Sequence, residues 1–180
     1  MLLSENPVVS VSNGLQKFFQ IAVGLISAIA LTSCTTLTIN QYEATAQTIY
    51  TWQVRYSTSP SDKLPRFETF ATTSLLNRNG QQPPSAVTGP DDQGLWWPAL
   101  PPRPTVDQIE QRQRPQEQAS TPELLKSVNY QMTYIEGSKQ RTLPTNYQVY
   151  RQVVKAYPSR RPLQLTLGVN NSSVEKAEPL

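Results

Sequence analysis

The sequence contains no histidine among its 180 residues and only one cysteine, Cys34. Histidine is the commonest general base and a frequent metal ligand, so its absence removes many enzyme classes. A Ser-His-Asp triad, a Cys-His pair and haem ligation by histidine are all excluded within this chain. A single cysteine forms no internal disulfide, so stability must come from packing. We predict no catalytic residues, no metal site and no cofactor.

Strong charge of either sign is also missing. The sequence contains 16 basic and 13 acidic residues, which gives a formal net charge of +3. A nucleic-acid-binding chain normally shows clustered Lys and Arg on a recognisable module. We therefore predict no nucleic-acid partner, although a mildly basic surface can still meet anionic lipids or an acidic protein.

Long apolar runs are limited to one segment, Phe18–Leu31, which follows a polar start ending at Lys17. It is shorter than the roughly 20 apolar residues of a membrane-spanning helix. The four residues at its end resemble the lipobox of bacterial lipoproteins: Leu31, Thr32, Ser33 and Cys34. The resemblance implies that residues 1–33 are a cleaved signal peptide, and that lipid (palmitate and diacylglyceryl) on Cys34 holds the chain at a membrane facing the periplasm. The alternative is an uncleaved anchor extended by Thr32 to Ile39.

Two further stretches, LWWPALPPRPTVDQIEQR and LPTNYQVYRQVVKAYP, are similar to uncharacterised cyanobacterial lipoproteins. That resemblance implies the thylakoid lumen as a second possible compartment. It implies no catalytic or binding residues.

Alternating apolar residues predict strands at Tyr50–Tyr56 and Leu163–Val169, and a hairpin from Val128 to Leu143 that turns at Gly137. Helical spacing or capping residues predict helices from Pro65 to the stop at Asn79, from Thr105 to Gln113, and from a cap at Thr145 or Asn146 to Tyr157, with a single turn at Thr121–Lys126. The order of the main elements is that of a ferredoxin-like split βαβ arrangement.

We therefore predict an α+β fold (βαββαβ): a small antiparallel sheet with two helices on one face. Residues 34–48 form a tether, residues 49–169 form a single domain with a proline-rich insertion at 80–122, and residues 170–180 are a disordered tail. The face opposite the helices is open to be covered by Trp96 and Trp97.

The proline-rich insertion contains an apolar run, Leu95–Pro104. Its tryptophans either pack on the protein's own sheet or form a clip that binds a partner, and Pro98–Arg103 also matches the PxxPxR pattern of SH3 ligands. A basic group near the end of the last helix is either a solvated face or a contact for an anionic headgroup or acidic subunit. The candidate partner-binding residues are Trp96, Trp97, Pro98, Pro101, Arg103, Arg151, Lys155, Arg160 and Arg161.

The leading functional prediction is a non-enzymatic membrane lipoprotein that binds, scaffolds or assembles a larger envelope or membrane protein complex. The alternative is a solute- or glycan-binding lipoprotein whose site is lined by tyrosines, drawn from Tyr130, Tyr134, Tyr147, Tyr150 and Tyr157. A third hypothesis is a hydrolase that uses two of the carboxylates Asp91, Asp92, Asp107 and Glu110.

Overall fold

The structure is a computed structural model that describes residues 35–180, so the predicted signal peptide and Cys34 lie outside the described residues. Two helices and eight strands follow one another along the described chain. They are β1 (Thr36–Ile39), β2 (Tyr42–Ser57), β3 (Arg66–Arg78), α1 (Val106–Arg112), β4 (Gln118–Ala119), β5 (Glu123–Glu136), β6 (Lys139–Thr145), α2 (Tyr147–Ala156), β7 (Leu163–Leu167) and β8 (Val174–Pro179). Residues 80–104, between β3 and α1, are called the arm.

All eight strands belong to one sheet, in the order β1-β7-β8-β6-β5-β2-β3. The short β4 pairs with the end of β2, next to the start of β5. Neighbouring strands are antiparallel except β6 and β8, which meet in parallel at Thr145 and Val174. The result is a large mixed sheet.

The predicted strand at Tyr50–Tyr56 is confirmed as part of the 16-residue β2. Its even-numbered side chains point to one face, because successive side chains of a strand alternate between the two faces. All of these even-numbered residues are buried except the half-buried Trp52. The helices and the arm pack against this buried row of side chains.

The predicted hairpin is confirmed as β5 and β6, in which Glu136 pairs with Lys139. Gly137 occupies the first position of the two-residue turn with φ of +61°, a conformation that glycine adopts without steric cost. The strand predicted from Leu163 is likewise confirmed as β7.

Two predicted helices are confirmed. α1 begins after Thr105, whose hydroxyl accepts the Gln108 backbone N–H in a complete capping box. α2 begins after Asn146, whose side chain accepts the Val149 N–H, and buries one face that includes Val149 and Val153. Neither helix in the described part of the chain is long and apolar enough to cross a membrane.

The predicted ferredoxin-like α+β fold is wrong. The described residues form eight strands in one mixed sheet with only two helices. The segment predicted as the first helix, which begins at Pro65, is strand β3, and the turn predicted at Thr121–Lys126 lies largely in β5. No helix therefore connects β2 to β3, as the split βαβ order requires.

The predicted tether and disordered tail are also wrong, because both segments are strands. Residues 36–48 supply β1 and the first part of β2, while Val174 and Ala177 of β8 are buried against the sheet. Ala44 and Ala46 are completely buried, and such small side chains allow α2 to pack closely on β2. The extension of an anchor helix to Ile39 is wrong as well, since Ile39 pairs with Leu163 in β1 and β7. The rest of the uncleaved-anchor alternative lies outside the described residues.

The main core lies between α2 and the sheet, and a smaller cluster lies under α1. Leu95 of the arm joins the main core, while Ile109 of α1 joins Val54 and Tyr56 in the smaller one. Since Val54 and Tyr56 belong to the even-numbered row of β2, both helices and the arm cover the same face of the sheet.

Candidate functional site

The arm runs along β2 and is fastened to it at successive residues. The Thr48 hydroxyl donates to the Trp96 carbonyl (2.8 Å), and the Trp52 indole N–H donates to the Pro101 carbonyl (2.9 Å). Between these contacts the Tyr50 and Trp97 rings lie with their centroids 4.9 Å apart. The proline-rich insertion is thus part of the fold.

This arrangement divides the residues that the sequence grouped as a partner-binding clip. Trp97, Pro98 and Pro101 are buried, with Trp97 only 7% exposed. Packing on the protein's own sheet, one of the two alternatives for the tryptophans, therefore describes Trp97. Burial of Pro98 and Pro101 also removes the surface that a PxxPxR reader needs. Arg103 is exposed and lies over the Trp52 ring, 5.6 Å from its centroid.

A tight turn at Asp91 shapes the part of the arm nearest α2. One carboxylate oxygen of Asp91 accepts the backbone N–H groups of Gln93 and Leu95, at 3.0 and 2.9 Å. The other accepts the Trp97 indole N–H at 2.7 Å. Asp91 therefore stabilises the turn. This geometry does not support the hypothesis that Asp91 is one of two hydrolytic carboxylates.

A groove of about 440 Å³ lies between this turn and α2. It brings together three of the residues predicted from the sequence: Trp96, which is half-buried, and the exposed Arg151 and Lys155. Tyr150 also lines it, beside Gly80 at the end of β3. Gly80 has φ of +74°, and a Cβ there would lie 2.5 Å from a methyl of Val154, so the close approach of the arm to α2 requires glycine.

Three of the five predicted tyrosines gather behind this groove. The Tyr130 ring lies 5.4 Å from that of Tyr150 and 6.0 Å from that of Tyr147. The Tyr130 hydroxyl donates to the Gln93 side chain (3.2 Å), while Arg151 donates to the Tyr147 hydroxyl (2.8 Å). Tyr130 thus contacts the arm side of the groove through Gln93, and Tyr147 contacts the α2 side through Arg151.

Burial is the main influence on the acidity of these phenols. Burial raises the pKa of Tyr130 to about 12, with contributions from Tyr147, Asp91 and Tyr150. Burial also raises the pKa of Tyr150, against an opposing effect of the nearby Gly80 backbone N–H. Both hydroxyls are therefore neutral hydrogen-bond donors at ordinary pH.

The remaining predicted residues lie elsewhere. Arg160 stacks over Tyr157, 4.2 Å from the ring centroid, and Arg161 donates to the Leu180 carbonyl at 3.0 Å. Tyr134 is buried, and its surroundings include Arg141 and Glu136 of the hairpin. Asp107 and Glu110 belong to α1. Among residues 35–180, no three side chains of the usual metal-binding types are grouped as ligands.

The opposite face of the sheet forms a second surface, which we call the bare face. It carries the odd-numbered side chains of β2 and their neighbours on β3, β5 and β6. A trough of about 370 Å³ crosses these strands, and its lining includes Gln47, Leu76, Gln131 and Pro144. The prediction that Trp96 and Trp97 cover this face is wrong, because the arm packs on the same side as the helices. Exposed apolar side chains therefore remain on it: Phe67, Leu76 and Ile135, which are 56%, 41% and 40% exposed.

Sequence reasoning missed Asn77, Gly80 and Gln93. Asn77 is fully buried and joins β3 to the arm through Trp96. A single Asn in a strand pattern carries no signal of such a role, and the groove residues come from segments far apart in the chain.

No protein-family model matches the sequence, and comparisons with curated proteins and with solved structures gave no match either.

Proposed function

We propose that this chain is a membrane-anchored lipoprotein that serves as a non-enzymatic binding or scaffold component of an envelope or membrane protein complex. The lipobox-like run supports the anchor. The bare face supports the protein partner, and it is the observation that carries the proposal.

Two features of the bare face support a protein contact. It spreads over four adjacent strands, and polar groups such as Gln47 and Gln131 surround exposed Leu76. Apolar side chains rimmed by polar ones are typical of interaction sites. Threonine pairs across the strands stiffen it: the hydroxyls of Thr51 and Thr72 are 3.1 Å apart, and those of Thr133 and Thr142 are 2.9 Å apart. A stiff surface loses little conformational freedom when a partner binds.

The start of the fold also bears on the anchor. Only Thr35 separates Cys34 from β1, an edge strand of the sheet. A lipid on Cys34 therefore holds the domain directly at the bilayer, without the long tether that the sequence predicted. Partners in the same membrane or at its surface are then within reach.

The anchor is tested by mass spectrometry of the N-terminal peptide from native membranes. We expect a peptide that begins with a lipid-modified Cys34. In the Cys34→Ala variant, we expect this species to disappear and the protein to leave the membrane fraction. A peptide that begins at Met1 and carries an unmodified Cys34 would show that the anchor is wrong.

The partner surface is tested by photo-crosslinking in native membranes. A photoreactive residue replaces Gln47 or Gln131 on the bare face, and matched controls carry it at Gln148 or Gln152, which are exposed on α2. We expect one discrete crosslinked protein from the bare-face positions and none from the controls. Leu76→Asp should abolish that product, because it places a charge in the apolar centre of the contact.

Two results would contradict the partner surface. One is the same crosslinked products at all four positions, which indicates unspecific proximity. The other is a discrete product that appears from α2 but not from the bare face. Thermal unfolding of the Leu76→Asp variant is the control, since loss of crosslinking is meaningful only if the domain remains folded.

A further inference from the structure

The start of β1 lies beside the turn that follows β7. The two strands are antiparallel, with Thr36 opposite Thr166, so β1 begins where β7 ends. The Thr35 carbonyl accepts the Leu167 backbone N–H at 2.9 Å, which fastens Thr35 to that end of the sheet. Because Cys34 directly precedes Thr35, a lipid on Cys34 enters the bilayer next to residues 168–173. These six residues connect β7 to β8 and are called the β7–β8 turn.

The β7–β8 turn presents one apolar side chain on a backbone that is largely satisfied by itself. Val169 is 66% exposed, and the turn, GVNNSS, contains no charged residue. The Gly168 N–H donates to the Ser173 carbonyl at 3.0 Å, while the backbone N–H and the hydroxyl of Ser172 both donate to the Val169 carbonyl. Backbone groups that are paired in this way lose less when they leave water for the edge of a bilayer.

The charged side chains beside the turn include two ion pairs. Arg141 donates to a carbonyl of the turn and pairs with Glu136 at 3.2 Å, and Lys176 pairs with Glu178 at 2.8 Å. Glu175 accepts a hydroxyl of the turn. In the described part of the chain, the surroundings of the turn therefore carry no excess of positive charge. Apolar contact, rather than attraction to anionic headgroups, is the interaction that this surface offers.

We infer that the β7–β8 turn lies on the bilayer surface, with the Val169 side chain in the interfacial region beside the lipid on Cys34. The contact depends on the proposed lipid anchor, and it adds the part of the domain that faces the membrane. An apolar side chain gains free energy when it leaves water for the boundary between headgroups and acyl chains. The anchor keeps the turn at a high local concentration of lipid, so a weak contact is sufficient.

The opposite end of β7 offers a rival contact. Arg160 and Arg161 precede β7, whereas the turn follows it. β7 is five residues long, so about 13 Å separates its two ends. A bilayer that contacts the turn is therefore distant from these two cations, and a bilayer that binds them is distant from Val169. The two orientations of the domain can be separated by experiment.

The test places an environment-sensitive fluorescent residue at position 169, 106 or 160 of the full chain, one position at a time. Val106 is the matched control, because it is a valine with 67% exposure at the start of α1. α1 packs on Tyr56, near the end of β2 that lies farthest from Tyr42 and β1. Each protein is purified from the membranes of the cells that produce it and is reconstituted into phosphatidylcholine vesicles with or without bromine on the acyl chains. Mass spectrometry of the same samples establishes the state of Cys34.

We expect brominated lipid to quench the emission from position 169, and that emission to lie at a shorter wavelength than the emission from position 106. Positions 106 and 160 should keep their emission. Added salt or phosphatidylglycerol should leave the quenching at position 169 unchanged, because the contact is apolar and screening acts on charges.

A second variant tests the valine without replacing it by the fluorophore. With the fluorescent residue at position 172, which is exposed in the same turn, Val169→Asp should reduce the quenching by brominated lipid. A carboxylate at this depth is costly, so the turn moves away from the bilayer while the lipid still holds the chain on the vesicle. Val106→Asp should leave the quenching at position 172 unchanged.

Three results would overturn the contact while the anchor stands, each with a lipid-modified Cys34. They are equal quenching at positions 169 and 106, stronger quenching at position 160 than at position 169, and no effect of Val169→Asp on the fluorophore at position 172. A different result, an unmodified Cys34 in a protein that does not stay on the vesicles, would overturn the anchor and the contact together.

Discussion

Replacing Trp97 with alanine should lower the free energy of unfolding by about 3–5 kcal/mol, the usual loss for a large aromatic side chain removed from a core. Trp97 is 7% exposed, packs against Tyr50, and donates its indole N–H to Asp91. The substitution therefore removes apolar contact and also leaves one oxygen of the Asp91 carboxylate without its donor. Urea unfolding followed by circular dichroism measures the change, provided that the slope with denaturant stays constant.

Trp96→Ala is the matched control for this prediction. Trp96 is the same residue type at the next position, but it is only half-buried and lines the groove. We expect Trp96→Ala to lose clearly less stability than Trp97→Ala. Equal and small losses for both variants would mean that the arm is a dispensable appendage, as a partner-binding clip would be, and would contradict the arm as part of the core.

The sequence distinguishes the two tryptophans poorly for a physical reason. Both stand in a proline-rich run without periodicity, so no alternation assigns either side chain to a face. Their different roles come from contacts with distant segments: Trp97 with Tyr50, and Trp96 with Asn77 and Thr48. Which residue of such a pair is buried depends on tertiary structure alone.

Local signals predicted several elements well. The alternation in β2, the glycine turn of the β5–β6 hairpin and the caps of α1 and α2 are each contained within a few residues, and each is confirmed. Such features are encoded by side-chain spacing and by hydrogen bonds to the adjacent backbone. They need no information from the rest of the chain.

Irregularities in two strands explain the errors at β3 and β8. In β3 the register with β2 shifts between the pairs Thr51–Thr72 and Gln53–Thr69, so β3 contains one extra residue near Phe70. That residue breaks the alternation and gives Phe67, Phe70 and Leu75 a spacing that resembles a helix. β-branched residues such as Thr72 oppose helix formation there. In β8 a similar shift at Glu175 places the buried residues Val174 and Ala177 three positions apart. This spacing lacks the alternation of a strand, so the segment was predicted as a polar tail.

Asn77→Ala is the second substitution with a large expected effect. Asn77 is fully buried on β3, and its side chain accepts the Trp96 N–H at 2.8 Å while it donates to the carbonyls of Trp96 (3.0 Å) and Ala46 (3.2 Å). Alanine leaves the Trp96 N–H without this acceptor and both carbonyls without this donor. We expect the free energy of unfolding to fall by about 2–4 kcal/mol. The buried Trp96 N–H loses its acceptor, which costs about 1–3 kcal/mol, and the loss of the two amide hydrogen bonds adds to this, although the Trp96 carbonyl keeps the Thr48 hydroxyl as a donor.

Asn129→Ala is the control for Asn77, since Asn129 is exposed on the bare face and should change stability by less than about 0.5 kcal/mol.

The double variant Asn77→Ala with Trp97→Ala tests whether the arm docks on the sheet as one unit. If either substitution alone loosens this segment, the second has less left to disrupt, and the two losses should sum to more than the measured loss of the pair. Strict additivity would contradict a single docked unit. It would mean that Asn77 and Trp97 stabilise the arm independently. The groove between α2 and the turn at Asp91 would then keep its structure when either residue is replaced.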